Sequence, residues 1–170
     1  MRLGLHLSIG GSVDRAIDRA VERGCDTLQI FSSNPRRWRS RELVSEEVEN
    51  FKKKRKDGGI WPVFIHTPYL LNLASPKEDV YAKSVRALRE ELCRADNLGV
   101  QYVVTHLGSH LGQGKRGGFR RIVCAVCKVF SIVRNDVILL LENAAGTRNS
   151  MGSNFEDIRH MMTEIDEKRR

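Results

Sequence analysis

Tyr102-Val103-Val104-Thr105-His106-Leu107-Gly108-Ser109 is an apolar, β-branched run that ends on an imidazole and turns at once on a glycine. The same grammar recurs on either side of it. Pro62-Val63-Phe64-Ile65 runs into His66 and then Thr67-Pro68-Tyr69, and Val137-Ile138-Leu139-Leu140-Leu141 runs into Glu142 and then Asn143-Ala144-Ala145-Gly146. A buried strand wants apolar residues throughout, so a ligand-type residue at the carboxyl edge of three separate runs calls for an explanation. Parallel strands whose carboxyl ends share one face would gather two imidazoles and a carboxylate. Those are ordinary donors for Zn²⁺ or a similar divalent cation. A lone strand-end histidine is more commonly a hydrogen-bonded structural residue, and it is the shared pattern that carries weight. His6 fits it less well, because Leu7 follows before the Gly10-Gly11 turn, and it reads as a supporting or structural residue. His110 and His160 have no such context and read as structural.

Working outward, strand and helix alternate along the whole chain. Apolar periodicity predicts strands over 3–8, 27–31, 62–66, 102–106 and 137–143, and helices over 13–23, 45–57, 77–98, 119–133 and 154–168. Gly24, Gly58-Gly59 and Gly99 mark helix ends, and Asn154 with Asp157 three residues on marks a helix start. Alternating βα units imply a parallel sheet with right-handed crossovers. Two parallel architectures compete. A doubly wound sheet would ordinarily place a glycine-rich phosphate loop at its first turn, yet Ser8-Ile9-Gly10-Gly11-Ser12 lacks both G-x-G-x-x-G and the P-loop lysine. A (β/α)₈ barrel instead sets functional residues at the ends of many strands, as here, but needs about 250 residues. The placement of the ligand-type residues suits a barrel and the chain length an open sheet, so the residues alone leave both open.

The net charge of +8 favours a polyanionic partner. Lys52-Lys53-Lys54-Arg55-Lys56 ends a predicted helix and reads first as a solvated terminus that complements the helix dipole. Arg36-Arg37-Trp38-Arg39 belongs instead to the loop after the strand 27–31, on the same face as the ligands. Cations with an aromatic on such a loop can grip phosphates and stack on bases. No run approaches the ~18 apolar residues of a membrane span, and the amino terminus enters directly into a strand pattern, so a cytoplasmic protein without a membrane partner is expected. Cys25, Cys93, Cys124 and Cys127 fit a reducing compartment. Cys124 and Cys127 form a C-x-x-C inside a helical pattern, which reads as small apolar residues on a buried stripe, with no redox role.

At these residues the chain resembles the endonuclease IV family of zinc-dependent apurinic/apyrimidinic endonucleases. The resemblance is carried by His66-Thr67-Pro68-Tyr69-Leu70-Leu71-Asn72-Leu73-Ala74-Ser75, Thr105-His106-Leu107-Gly108-Ser109-His110 and Leu141-Glu142-Asn143-Ala144-Ala145-Gly146. Gln29-Ile30-Phe31, Asn34 and Arg36-Arg37-Trp38 also match, so it runs from the first strand to the last helix. It implies an α/β fold, a TIM (β/α)₈ barrel with three zinc ions at its carboxyl-terminal face, of which residues 1–170 would form the amino-terminal part of a single domain, about the first five βα units. It implies also a DNA-repair activity that cleaves the duplex backbone 5′ to an abasic site, leaving a 3′ hydroxyl and a 5′ deoxyribose phosphate. The positions that match family metal ligands are His66, His106 and Glu142, with Glu142 matching the catalytic carboxylate that bridges two metals. Arg36, Arg37, Tyr69 and Leu70 match residues that enter the minor groove and support the flipped-out nucleotide. Leu107 stands where many members have proline. The family's later ligands, an Asp-x-x-His pair, an Asp-x-His pair and a final glutamate, fall beyond Arg170, so protein ligands for one zinc are expected here in full.

The family's chemistry has a physical rationale. A phosphodiester repels hydroxide and has a poor leaving group, both of which bound metals relieve. An abasic nucleotide is cheap to extrude because it neither stacks nor pairs. Two rivals stand beside this reading: a metal-dependent sugar isomerase or epimerase on a related barrel, and a DNA- or metal-binding fragment without turnover. An extended cationic loop favours DNA over a free sugar. Duplex DNA containing abasic sites is the expected partner, Zn²⁺ the expected cofactor, and no obligate protein partner is expected.

Overall fold

The structure, a computed structural model, is described here over residues 1–165. Five strands, β1 (Gly4–His6), β2 (Thr27–Phe31), β3 (Val63–His66), β4 (Tyr102–His106) and β5 (Ile138–Glu142), alternate with five helices, α1 (Arg15–Glu22), α2 (Ser45–Asp57), α3 (Glu78–Asn97), α4 (Lys115–Ile132) and α5 (Phe155–Glu164). All neighbouring strands are parallel, and their spatial order is the chain order, β1-β2-β3-β4-β5. A doubly wound sheet reverses direction at a switch point. This one never does, so right-handed crossovers put every helix on the same face, and the sheet is a sector of a barrel.

Alternation along the strands sorts the two faces. Leu28, Ile30, Val63, Ile65, Val103 and Leu139 point outward and are buried beneath the helices. The helices answer with Ile17, Phe51, Leu88, Leu92, Val126 and Phe130, which join them in one core. Truncating any of these large side chains to alanine costs about 2–5 kcal/mol. The residues between them in sequence face the barrel interior and are half-exposed, among them Gln29, Phe31, Val104 and His106. Among the described residues β1 and β5 each have a single strand partner. Leu3 just before β1, Leu5 within it, and Phe155 and Met162 on α5 are left exposed.

Strand β2, helix α2 and strand β4 have the extents expected from sequence, and Asn154 caps α5 by accepting from Asp157 N–H at 2.8 Å. Helix α4 differs: it begins at Lys115 instead of residue 119, running through Gly117 and Gly118. Packing favours glycine at position 118, because a Cβ there would press on Met151 Sδ at 2.9 Å and His110 Cβ at 3.0 Å. The expected end of the last helix at 168 lies outside the described residues. Cys124 is exposed, so only Cys127 of the C-x-x-C leans on the core. No helix among the described residues is long and apolar enough to cross a membrane.

Candidate metal centre

Strand register decides which side chains meet. Phe31 pairs with His66, His66 with Val104, and His106 with Glu142. Register partners on parallel strands share a face, so His106 and Glu142 stand side by side, and His66 lies on the diagonal to His106. The two imidazoles meet edge to face with centroids 4.8 Å apart. His66 Nε2 lies 2.9 Å, and His106 Nδ1 3.2 Å, from the same oxygen, Glu142 Oε2. One donor atom from each of the three residues falls within 4.8 Å of the others, a set that could hold a metal ion.

The donor chemistry fits a cation. His66 Nδ1 lies 2.7 Å from the Thr67 carbonyl. A carbonyl only accepts, so Nδ1 carries the proton and Nε2 is turned toward Glu142. A backbone carbonyl behind a histidine is the usual way in which a metal ligand's ring is oriented and its basicity raised. Thr67 is held in turn, with its N–H donating to the Val104 carbonyl at 2.8 Å and its Oγ1 to Thr105 Oγ1 at 3.2 Å. Both described contacts of the Glu142 carboxylate fall on Oε2, and no partner of Oε1 is found among the described residues.

His6 lies on the same inner face. Its ring centroid is 4.5 Å from Phe31 and 6.4 Å from His66, and Gln29 Nε2 lies 3.0 Å from its Nδ1. Burial, then the nearby His66 imidazole, holds its basicity below the ordinary imidazole value. His110 accepts from Gly114 N–H at 3.2 Å, and His160 packs on Phe119 at 4.4 Å, so neither joins the triad.

The loop between β2 and α2 rises at the same end of the sheet. Asn34 turns it, its Oδ1 accepting from Arg36 N–H at 3.0 Å and its carbonyl from Arg37 N–H at 3.2 Å. Arg36 and Arg37 are exposed, and among the described residues no carboxylate pairs with either guanidinium. Tyr69 is 60% exposed, with its ring edge on Phe31 at 5.0 Å and its N–H donating to the Pro35 carbonyl at 3.2 Å. Leu70 beside it is half-buried. Trp38 behaves differently from the sequence expectation of a stacking aromatic: it is half-buried and packs on the core, with Lys83 Nζ 6.0 Å from its ring. Tyr69, by contrast, is mostly exposed.

Glu91 of α3 was not singled out by sequence reasoning. It is buried and accepts from Ser32 Oγ at 2.7 Å. Arg94 Nε donates to the same hydroxyl at 2.7 Å, and its Nη1 to the Arg41 carbonyl at 2.8 Å, so the two ends of the Arg36–Arg37 loop are tied to α3. A signal was available, since Glu91 falls on the Leu88-Leu92-Ala95 stripe, where a charge needs a partner to offset its burial.

A profile of the family described as "Xylose isomerase-like TIM barrel" matches residues 17–170. The chain is 43% identical over 167 residues to "Probable endonuclease 4" of Nitrosopumilus maritimus (strain SCM1), covering 97% of this chain and 60% of that protein. The crystal structure of endonuclease IV from Thermus thermophilus superposes with a TM-score of 0.86 at 38% identity, over 95% of this chain and 59% of that one. A D-tagatose 3-epimerase-like protein superposes with a TM-score of 0.74 at 20% identity, over 98% of this chain and 62% of that one, a likeness of fold alone. The chain thus spans about 60% of the length of the curated relatives it matches.

Proposed function

We propose, for a chain that belongs to the endonuclease IV family within the xylose isomerase-like TIM barrels, a role in hydrolysing the phosphodiester 5′ to abasic sites in duplex DNA. Residues 1–170 then form the amino-terminal part of a single barrel domain. The observation that carries the reading is the convergence of His66, His106 and Glu142 on the face that also carries a loop of exposed arginines and an exposed tyrosine. In this reading His66, His106 and Glu142 would hold Zn²⁺, which would supply charge to offset the phosphate and a Lewis acid for water and the leaving oxygen. Glu142 supplies the only negative charge of the triad, and would be its anionic ligand. Arg36 and Arg37 grip backbone phosphates. Tyr69 and Leu70 fill the stack where a base is missing, so an intact base pair excludes them.

An epimerase shares the fold, but a free sugar makes no use of two exposed guanidiniums on an outer loop. The reading is tested by titrating the zinc-loaded chain with an abasic duplex, the matched intact duplex and a free ketose. Preference for the abasic duplex supports it. Ketose binding without a duplex preference would favour the sugar reading. Abasic binding without strand cleavage, with product followed on a denaturing gel, would mark the chain as a binding unit whose turnover needs further ligands.

A further inference from the structure

The side-chain amide of Asn72 lies between the loops that follow the two imidazoles. Its Nδ2 donates to the Ser109 carbonyl at 3.0 Å, and its Oδ1 accepts from Ser109 N–H at 2.9 Å. This reciprocal pair lets a side chain stand in for a neighbouring strand. Oδ1 also accepts from Ala74 N–H at 3.1 Å, and Asn72 N–H donates to Ser84 Oγ on α3 at 2.9 Å. The amide is therefore fixed at both ends.

Gly108 is shaped to receive it. Its φ is +87°, and a Cβ there would overlap Asn72 Oδ1. The same turn reaches the third loop, which follows Glu142: the Gly108 carbonyl accepts from Met151 N–H at 2.9 Å, and His110 N–H donates to the Asn149 carbonyl at 3.0 Å. The turn after His106 thus ties together the loops behind all three triad residues, and Asn72 is its only side-chain link, among the described hydrogen bonds, to the loop carrying Tyr69 and Leu70.

We infer that Asn72 is a positioning residue that sets where Tyr69 and Leu70 stand relative to the triad, and through them how strongly an abasic nucleotide is preferred over an intact one. The inference rests on the DNA reading proposed above. His66, His106 and Glu142 end strands and are held by the backbone ladder whether or not Asn72 is present. Tyr69, three residues before Asn72 and mostly exposed, has the Phe31 ring edge and one backbone bond to Pro35 as its other supports. Loss of the Asn72 link therefore moves the wedge and spares the ligands. A group that discriminates by shape is sensitive to displacements of an ångström.

The test measures affinity for an abasic and a matched intact duplex, together with Zn²⁺ affinity, in the native chain, Asn72→Ala and Asn72→Asp. Asn72→Asp keeps the volume and the acceptor but faces the Ser109 carbonyl with an oxygen, so it decides the matter if Asn72→Ala fails to fold. The expected result is a fall of about tenfold in the abasic-to-intact ratio, with Zn²⁺ affinity within about twofold of native. A folded variant that keeps the native ratio overturns the inference, as does a parallel loss of Zn²⁺ affinity, which would mark a general collapse of this face. A native chain with no preference for abasic DNA removes the underlying reading and this inference with it. A native chain that discriminates beside variants that also discriminate overturns the inference alone.

Discussion

His66 Nε2 lies 2.9 Å from Glu142 Oε2 although a whole strand, β4, stands between the strands that carry them. The approach is possible because β3, β4 and β5 curve around one interior, which brings side chains from non-adjacent strands over the same point. Because His66 Nδ1 faces the Thr67 carbonyl, Nε2 is the ring atom turned toward the carboxylate, and with His106 Nδ1 it completes a donor set that a divalent metal would suit.

The outer loops lead to a separation of effects on DNA. Arg36→Ala and Arg37→Ala are each expected to weaken binding to abasic and intact duplex alike, and to flatten the salt dependence by roughly 0.9 for each phosphate no longer gripped. Tyr69→Ala and Leu70→Ala are expected to lower the abasic preference with little change in salt slope. Binding isotherms at several salt concentrations check both. Identical behaviour of the two pairs would show the assigned loop roles to be wrong.

Glu91 leads to a pH dependence of stability. Burial, opposed by the Ser32 hydrogen bond, pushes its carboxyl from the ordinary 4.5 up to about 7. The folded chain thus binds the proton more tightly than the unfolded one, so this group's contribution is fully present below pH 4.5 and is lost as pH rises through 7. The loss is of order 3 kcal/mol. Denaturant unfolding at pH 5 and pH 8 should show a smaller difference for Glu91→Gln than for the native chain. Equal differences would contradict the assignment.

The exposed apolar side chains lead to self-association. Phe155 is 76% and Met162 53% exposed on α5, while Leu3 just before β1 and Leu5 within it are 61% and 50% exposed. Surfaces of this kind, next to open sheet edges, drive contacts between chains. Sedimentation of this 170-residue chain should show concentration-dependent association, reduced by Phe155→Ser with Met162→Ser. A native chain that stays monomeric at high concentration would contradict this.

The sequence was most legible where structure is local. Strand ends declared His66, His106 and Glu142, since an apolar run interrupted by a ligand-type residue can be read without knowing what lies across the sheet. Strand β1 covers only Gly4–His6 of the expected 3–8. The start of α4 was hidden because two glycines usually stop a helix, and the contact that favours Gly118 comes from Met151, far along the chain. Trp38 turned inward for a similar reason: its environment is the core and Lys83, which no neighbouring residue announces. Asn72 was invisible for the same cause, its partner Ser109 lying 37 residues away.

Whether the three strand ends hold a metal is decided by zinc-edge X-ray absorption on the chain loaded with one equivalent of Zn²⁺, paired with affinity titrations of His66→Ala, His106→Ala and Glu142→Gln. The expected spectrum is a shell of nitrogen and oxygen donors at ~2.0–2.2 Å that includes two imidazoles. Glu142→Gln, which removes the only anionic donor, should weaken Zn²⁺ binding by more than the roughly 10–100-fold typical of losing an outer-shell partner. A sulfur shell from the cysteines, or an affinity indifferent to all three substitutions, would contradict the metal centre.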